Sequence, residues 1–118
     1  KWPAVGCSQQ LSEVIVAAYV IADIDVTDPE AYEEYRRLAP PIVAQYGGRY
    51  LVRSGRFEKF EGDWTPKRLV VLEFDSLERA KQFYESEEYK PVRKIRFKAA
   101  VSNLLIVEGA QAVAGGGA

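Results

Sequence analysis

Histidine is absent from the 118-residue sequence, and cysteine occurs once, at position 7. The chain therefore lacks the usual protein ligands of zinc, copper and haem iron, and we expect it to use no metal or other cofactor. A single thiol also excludes an intramolecular disulfide bond. Cys7 lies in a predicted tail; we expect it to be inert, and dimerisation through its thiol is the alternative.

An excess of charge and a long apolar run are also missing. Sixteen basic and 17 acidic residues give a net charge of -1, so we expect neither a nucleic-acid nor a membrane partner. The apolar stretch 14–22 is too short to cross a membrane, and the acidic residues Glu13 and Asp23 on either side of it argue against a signal peptide. The expected location is the cytoplasm.

The remaining composition is that of one ordinary globular domain. Hydrophobic residues make up 47% of the chain and charged residues 28%, which allows a packed core and argues against disorder. We place the domain at residues 14–109. Residues 1–13 form an extension without usable periodicity, and 110–118 form a low-complexity tail that is flexible by composition.

The first half of the domain predicts a strand followed by a helix. Residues 15–26 are rich in β-branched side chains, and Thr27-Asp28-Pro29-Glu30 is a strong helix start. Apolar residues then recur at steps of three and four up to Gly47-Gly48, as in a helix packed on a sheet. Because Pro40-Pro41 removes two backbone donors, we expect two short helical pieces here.

The second half predicts two strands, two helices and a last strand. Residues 49–58 and 67–75 have strand character, Ser76 can cap a helix ending near Ser86, a short helix follows Tyr89, and 101–108 form the final strand. This order predicts an α+β, ferredoxin-like βαββαβ fold with a four-stranded antiparallel sheet and its helices on one face.

The other face of that sheet is predicted to be partly apolar as well. In the third strand Leu69, Val71 and Glu73 alternate with residues that face the helices, whereas a sheet with one wet face alternates polar and apolar side chains. A second copy related by a two-fold axis would cover this face. We therefore expect a homodimer.

Short motifs along most of the domain resemble one family. They are Tyr19-Val20-Ile21-Ala22, Tyr35, Tyr46-Gly47-Gly48-Arg49-Tyr50, Arg53, Glu61-Gly62, Trp64, Pro66-Lys67-Arg68, Glu73-Phe74, Ser86-Glu87-Glu88-Tyr89 and Arg93. In order and spacing, residues 18–109 resemble the DUF1330 family. The resemblance implies a dimeric α/β barrel, in which two ferredoxin-like sheets face each other around a cavity.

The resemblance implies a superfamily rather than a reaction. Its members include cofactor-independent monooxygenases, muconolactone isomerases and haem-degrading enzymes, whereas DUF1330 itself supplies no established activity. The sequence departs from the family pattern at two places. Phe83 stands where tryptophan is frequent, and Ser54-Gly55 stands where two glycines are usual.

Arg53 and Glu73 are the candidate catalytic residues. Both are charges in the interiors of neighbouring predicted strands, where a charge needs a partner or a charged ligand. One interpretation is an arginine that binds a carboxylate or enolate while Glu73 orients it or acts as a base. An ion pair that only stabilises the dimer is the other. A β-bulge in either strand would reverse the direction of these side chains.

Aromatic and basic residues elsewhere are the candidate substrate-binding residues. Trp64 and Arg68 flank the connection between the second and third strands and suit a planar organic anion. The remaining candidates carry hydroxyl or guanidinium groups and are Tyr19, Tyr35, Tyr89 and Arg93. Each also has an ordinary structural interpretation, as a core tyrosine with a wet tip, a plug in the dimer interface or a solvated helix residue.

Together these features predict a dimeric protein that binds a small organic molecule with a carbonyl or carboxylate group. If it is an enzyme, the residue types favour a cofactor-independent isomerase or monooxygenase type of reaction. The alternative is a non-catalytic binding or stress-related module whose charges only stabilise the dimer.

Overall fold

The computed structural model describes residues 16–110. Its elements, in chain order, are β1 (Ala18–Val26), α1 (Pro29–Gln45), β2 (Arg49–Arg53), β3 (Leu69–Phe74), α2 (Leu77–Tyr84), α3 (Tyr89–Ala99) and β4 (Ala100–Glu108). The predicted extension 1–13 with Cys7, and all but the first residue of the predicted tail 110–118, lie outside the described residues.

The four strands form one sheet in the order β2-β3-β1-β4, and every neighbouring pair is antiparallel. Two crossovers, one through α1 and one through α2 and α3, place the helices on the same face. This arrangement confirms the predicted α+β, ferredoxin-like fold. The sheet of the single chain is open and does not close into a barrel.

Helix α1 is continuous across Pro40 and Pro41, so the prediction of two short pieces was wrong. The helix starts as predicted: Pro29 is its first residue, and the Asp28 carboxylate accepts a hydrogen bond from the amide of Ala31 at 3.2 Å. The missing proline donors leave the carbonyls one turn earlier, at Arg36 and Arg37, without helical partners. Both residues are exposed, so water can bind those carbonyls.

Strand β2 ends at Arg53, five residues earlier than predicted, because Ser54 turns the chain with a φ of 61°. It also contains an irregularity. Arg49 pairs with Glu73 and Tyr50 with Leu72, but Val52 then pairs with Val71, so Leu51 is an extra residue in the strand. This bulge reverses the direction of every side chain that follows it.

The core lies between the sheet and the helices. Its strand residues alternate along β1 and β3, as in Val20, Ala22, Leu72 and Phe74, all of which are buried. On the opposite face the apolar side chains lie open. The most exposed of these are Leu51, Val101, Leu105 and Val107, at 43 to 66% of their full accessibility. No helix within residues 16–110 is long and apolar enough to cross a membrane.

Candidate functional site

A cavity of about 40 Å³ lies between the sheet and helices α1 and α3. Apolar side chains of the core form most of its wall, among them Val20, Val43, Leu72, Phe83 and Leu104. Eight polar side chains interrupt this wall: Tyr32, Tyr35, Arg36, Tyr50, Arg53, Arg68, Tyr89 and Arg96. The polar part of the wall therefore consists of arginines and tyrosines.

Arg96 is the most deeply buried charge that the structure describes. It lies on α3 with 1% of its surface exposed, and its Nη1 donates a hydrogen bond of 2.6 Å to the Ser102 hydroxyl. Its Nε and Nη2 atoms have no hydrogen-bond partner within residues 16–110. Burial lowers the pKa of the guanidinium, but the nearby hydroxyls of Tyr89 and Tyr35 outweigh this and raise the pKa of Arg96 above its ordinary value. The buried group is therefore a cation.

Tyr35 and Tyr89 place two hydroxyl groups beside that cation. Tyr35 comes from α1 and Tyr89 from the first turn of α3, and their oxygens are 2.6 Å apart. Burial, and then the proximity of Tyr89, raise the pKa of Tyr35 well above its ordinary value. At neutral pH the Tyr35 hydroxyl therefore keeps its proton and can donate a hydrogen bond, but it is a poor general base.

Arg53 and Arg68 also line the cavity, and each guanidinium stacks on a tyrosine. The Cζ atom of Arg53 lies 4.6 Å from the centre of the Tyr50 ring, and that of Arg68 lies 5.3 Å from the centre of the Tyr32 ring. Arg96 repeats the arrangement at 5.7 Å from the Tyr35 ring. A ring face stabilises a cation without using its N–H donors. For Arg96, the Nε and Nη2 donors, which have no partner within residues 16–110, stay available to a ligand.

The described part of the cavity wall has no acidic residue: among residues 16–110, neither aspartate nor glutamate lines the cavity. Over residues 16–110, no carboxylate lies within ion-pair distance of Arg53, Arg68 or Arg96. A group of hydrogen-bond donors with excess positive charge matches a ligand that accepts hydrogen bonds and carries negative charge, above all a carboxylate.

Glu73 lies on the other face of the sheet, so the expected pairing of Arg53 with Glu73 was wrong. The Glu73 carboxylate forms an ion pair with Arg49 and accepts a hydrogen bond of 3.1 Å from the Tyr19 hydroxyl. The Leu51 bulge explains the difference, because it turns Arg53 to the helix side while Arg49, ahead of the bulge, stays beside Glu73. Glu73 and Tyr19 are thus remote from the cavity.

Trp64 and Arg93 are remote from the cavity as well. The Trp64 indole is 62% exposed and donates a hydrogen bond of 2.9 Å to Asp23 on the open face of the sheet. Arg93 projects from α3 toward α2, where its Nη1 donates to the Tyr84 carbonyl at 2.9 Å. Of the predicted site residues, the structure brings together Arg53, Arg68, Tyr35 and Tyr89.

Arg96, Arg36, Tyr32 and Tyr50 are cavity residues absent from the predicted site. A sequence signal for Arg96 existed, since it occupies the stripe that continues Tyr89 and Val92 at steps of three and four. A basic residue at such a position is a buried charge.

The fold and the cavity can now be set beside known proteins. The family model described as "Domain of unknown function (DUF1330)" matches residues 17–110. The chain belongs to the DUF1330 family. This confirms the resemblance seen in the motifs, and it assigns no activity. No curated protein matches the chain.

Two solved structures support the fold of this DUF1330 domain. A crystal structure of a protein of unknown function from Rhodopseudomonas palustris is 19% identical, with a TM-score of 0.66, covering 95% of this chain and 96% of that one. The methylated form of the same protein is 19% identical, with a TM-score of 0.64 and coverages of 94% and 93%. At this identity the likeness concerns the fold alone.

Proposed function

We propose that the DUF1330 domain binds a small organic molecule through a carboxylate, or a carbonyl, placed against Arg96 in the cavity. One observation carries the proposal: a guanidinium that is 99% removed from solvent keeps two nitrogens without an acceptor within residues 16–110. Each buried donor left unpaired costs roughly 1–3 kcal/mol. A bound carboxylate supplies two acceptor atoms and the opposite charge at the place where both are missing.

The size of the cavity limits what enters it. One water needs roughly 10–15 Å³ of such space, so a cavity of about 40 Å³ takes about three water-sized groups. One carboxylate group has that size. The rest of a larger ligand must extend past the cavity wall, and Arg36 and Arg53 are the polar lining residues that are exposed at the surface.

The chemistry of the wall favours binding over proton abstraction. Tyr35 holds its proton because its pKa is raised by burial, and burial likewise raises the pKa of Tyr32 and Tyr50. With no aspartate or glutamate among the lining residues, the described cavity offers acids and hydrogen-bond donors but no base at neutral pH. A cofactor-independent isomerase or monooxygenase reaction here would need the ligand itself to accept the proton.

Arg96→Met tests the proposal, with Arg93→Met as the matched control. Both arginines lie on α3 one turn apart, but Arg93 does not line the cavity. Calorimetric titration with acetate, propionate and pyruvate should show binding to the natural chain and to Arg93→Met, and a loss of at least about tenfold in affinity for Arg96→Met. Carboxylate binding of equal strength in all three proteins would sink the proposal.

We further propose that the open face of the sheet pairs with a second copy of the chain. Its most exposed apolar side chains are Leu51, Val101, Leu105 and Val107. Soluble monomers rarely leave a large contiguous apolar patch exposed, and a two-fold axis lets one such patch cover itself. In this arrangement the Arg49–Glu73 ion pair is part of the interface, and the cavity stays on the far side of each sheet.

Light scattering on two variants tests the pairing. The natural chain should have the mass of a dimer at micromolar concentration, and Leu105→Glu should have that of a monomer because a carboxylate cannot be buried unpaired in the interface. Phe97→Glu is the control, since Phe97 is equally exposed, at 56%, but lies on α3. A monomeric natural chain, or a dimer that survives Leu105→Glu, contradicts the proposal.

A further inference from the structure

The buried cavity and the chain surface share two side chains. Arg36 of α1 and Arg53 of β2 line the cavity and also line a shallow surface basin of about 500 Å³. The remaining basin residues are Glu30, Glu33, Glu34 and Arg37. The gap between α1 and the end of β2 is therefore where the cavity meets the surface, and a ligand anchored on Arg96 leaves the cavity there.

Among residues 16–110, two of the three arginines in the basin form an ion pair and the third does not. Arg36 binds Glu33 at 2.8 Å and Arg37 binds Glu34 at 2.9 Å, each within α1. Arg53 has no carboxylate within ion-pair distance among residues 16–110, and its guanidinium lies against the Tyr50 ring instead. Within the described residues, a cation without an ion pair thus lies at the mouth of the cavity as well as at its buried end.

Two separated cations, one buried and one at the mouth, match a ligand with two anionic ends. We propose that the ligand is a short dianion, a dicarboxylate, with one carboxylate on Arg96 and the other held by Arg53 at the mouth. This rests on the proposed function. It makes Arg53 the residue that distinguishes dicarboxylates from monocarboxylates, and it gives the bulge at Leu51 a role, because the bulge turns Arg53 toward the cavity.

Succinate and succinamate test the inference, because they have the same number of non-hydrogen atoms and differ by one negative charge. Calorimetric titration at low ionic strength should show succinate binding the natural chain about tenfold more tightly, since a hydrogen bond to a carboxylate is stronger than one to a neutral amide. Arg53→Gln should remove this preference, so that succinate and succinamate bind the variant with affinities within about twofold of each other.

Arg37→Gln is the matched control, since it removes an arginine from the same basin that does not line the cavity. It should keep the full preference for succinate. Equal binding of the two ligands by the natural chain overturns the dianion inference, and so does a preference that survives Arg53→Gln or disappears in Arg37→Gln.

The inference and the proposed function fail in different ways. If Arg96→Met binds succinate as tightly as the natural chain does, the anchor in the cavity is wrong and both fall. If Arg96→Met loses both ligands while the natural chain binds them equally, the anchor stands and only the dianion inference falls. If the natural chain binds neither ligand at millimolar concentration, both the dianion inference and the proposed function are overturned.

Discussion

The hydroxyl oxygens of Tyr35 and Tyr89 are 2.6 Å apart, although 54 positions separate the two residues in the chain. The pair joins the first turn of α3 to the middle of α1 and lies beside the Arg96 guanidinium. Through this hydrogen bond the main crossover helix and the last helix fix the position of the donors in the cavity.

Replacing the first tyrosine of this pair should lower the free energy of unfolding more than the subsequent replacement of the other. Tyr35→Phe or Tyr89→Phe each leaves the other hydroxyl without its partner, which should lower the free energy of unfolding by about 1–2 kcal/mol. The double variant should lose about 1 kcal/mol less than the sum of the two, as expected for contacting residues. Urea denaturation measures all three. Strictly additive losses would show that the hydrogen bond is not formed.

Arg96→Met should not destabilise the ligand-free protein. The substitution removes a buried cation, two of whose nitrogens have no hydrogen-bond partner within residues 16–110, and methionine has a similar length and is apolar. Thermal denaturation of Arg96→Met should give an unchanged or higher melting temperature. Arg93→Met should lower it slightly, because its hydrogen bond to the Tyr84 carbonyl contributes about 1 kcal/mol.

A larger loss of stability for Arg96→Met than for Arg93→Met would show that Arg96 stabilises the fold. A loss of about 3–5 kcal/mol on Arg96→Met is the magnitude expected when a paired buried charge is broken. That result would mean that the guanidinium is satisfied in the folded protein without a ligand.

The contact between Asp23 and Trp64 should be lost in acid. The indole hydrogen bond, followed by the amide of Lys67 at 2.9 Å, lowers the pKa of the Asp23 carboxyl below its ordinary value of 3.8. A lowered folded-state pKa means that the contact is fully present above about pH 3.8 and is lost as the pH falls through the lower folded-state value.

Trp64 fluorescence reports this change once the other tryptophan is removed by Trp2→Phe. In that background the emission should shift as the pH falls below about 3.8, the ordinary value of the aspartate. Asp23→Asn keeps an acceptor for the indole but cannot titrate, so its emission should be independent of pH over the same range. A pH-dependent shift of equal size in Asp23→Asn would exclude Asp23 as its cause.

Ser54→Gly should stabilise the domain. Ser54 has a φ of 61°, in the left-handed region that favours glycine. Urea denaturation should show a gain of about 0.5–1 kcal/mol in the free energy of unfolding. This is less than the full cost of the left-handed conformation, because glycine also has greater freedom in the unfolded chain. Ser76→Gly is the control and should lose stability, because the Ser76 hydroxyl accepts the amide of Arg79 at the start of α2. A lower free energy of unfolding for Ser54→Gly would show that the backbone of Ser54 is not strained.

The fold could be predicted because its signals are periodic or local. The caps at Asp28 and Ser76, the alternation in β3 and the order of elements each depend on neighbouring residues, and the structure has them all. The continuity of α1 at Pro40 could not be predicted, because it depends on whether the carbonyls one turn earlier are exposed. That is a property of the tertiary structure.

The site was predictable in its residue types more than in its arrangement. Tyr35, Tyr89 and Arg68 were expected to bind a ligand, and the structure places them on one cavity; their roles stay predictions. Arg96 was missed because a basic residue on an amphipathic helix usually faces water. The partner of Glu73 was misassigned because one extra residue in β2 leaves no local sequence signal.

The bulge at Leu51 bears on how relatives of this chain are compared. Across the bulge, side chains no longer alternate strictly between the two faces of the sheet. An alignment that omits the extra residue therefore matches the cavity arginine, Arg53, with a position on the open face. Between proteins that share about a fifth of their residues, as with the 19% identical Rhodopseudomonas palustris protein, equivalent arginines have to be assigned by hydrogen-bond register. Counting along the chain assigns Arg53 to the wrong side of the sheet.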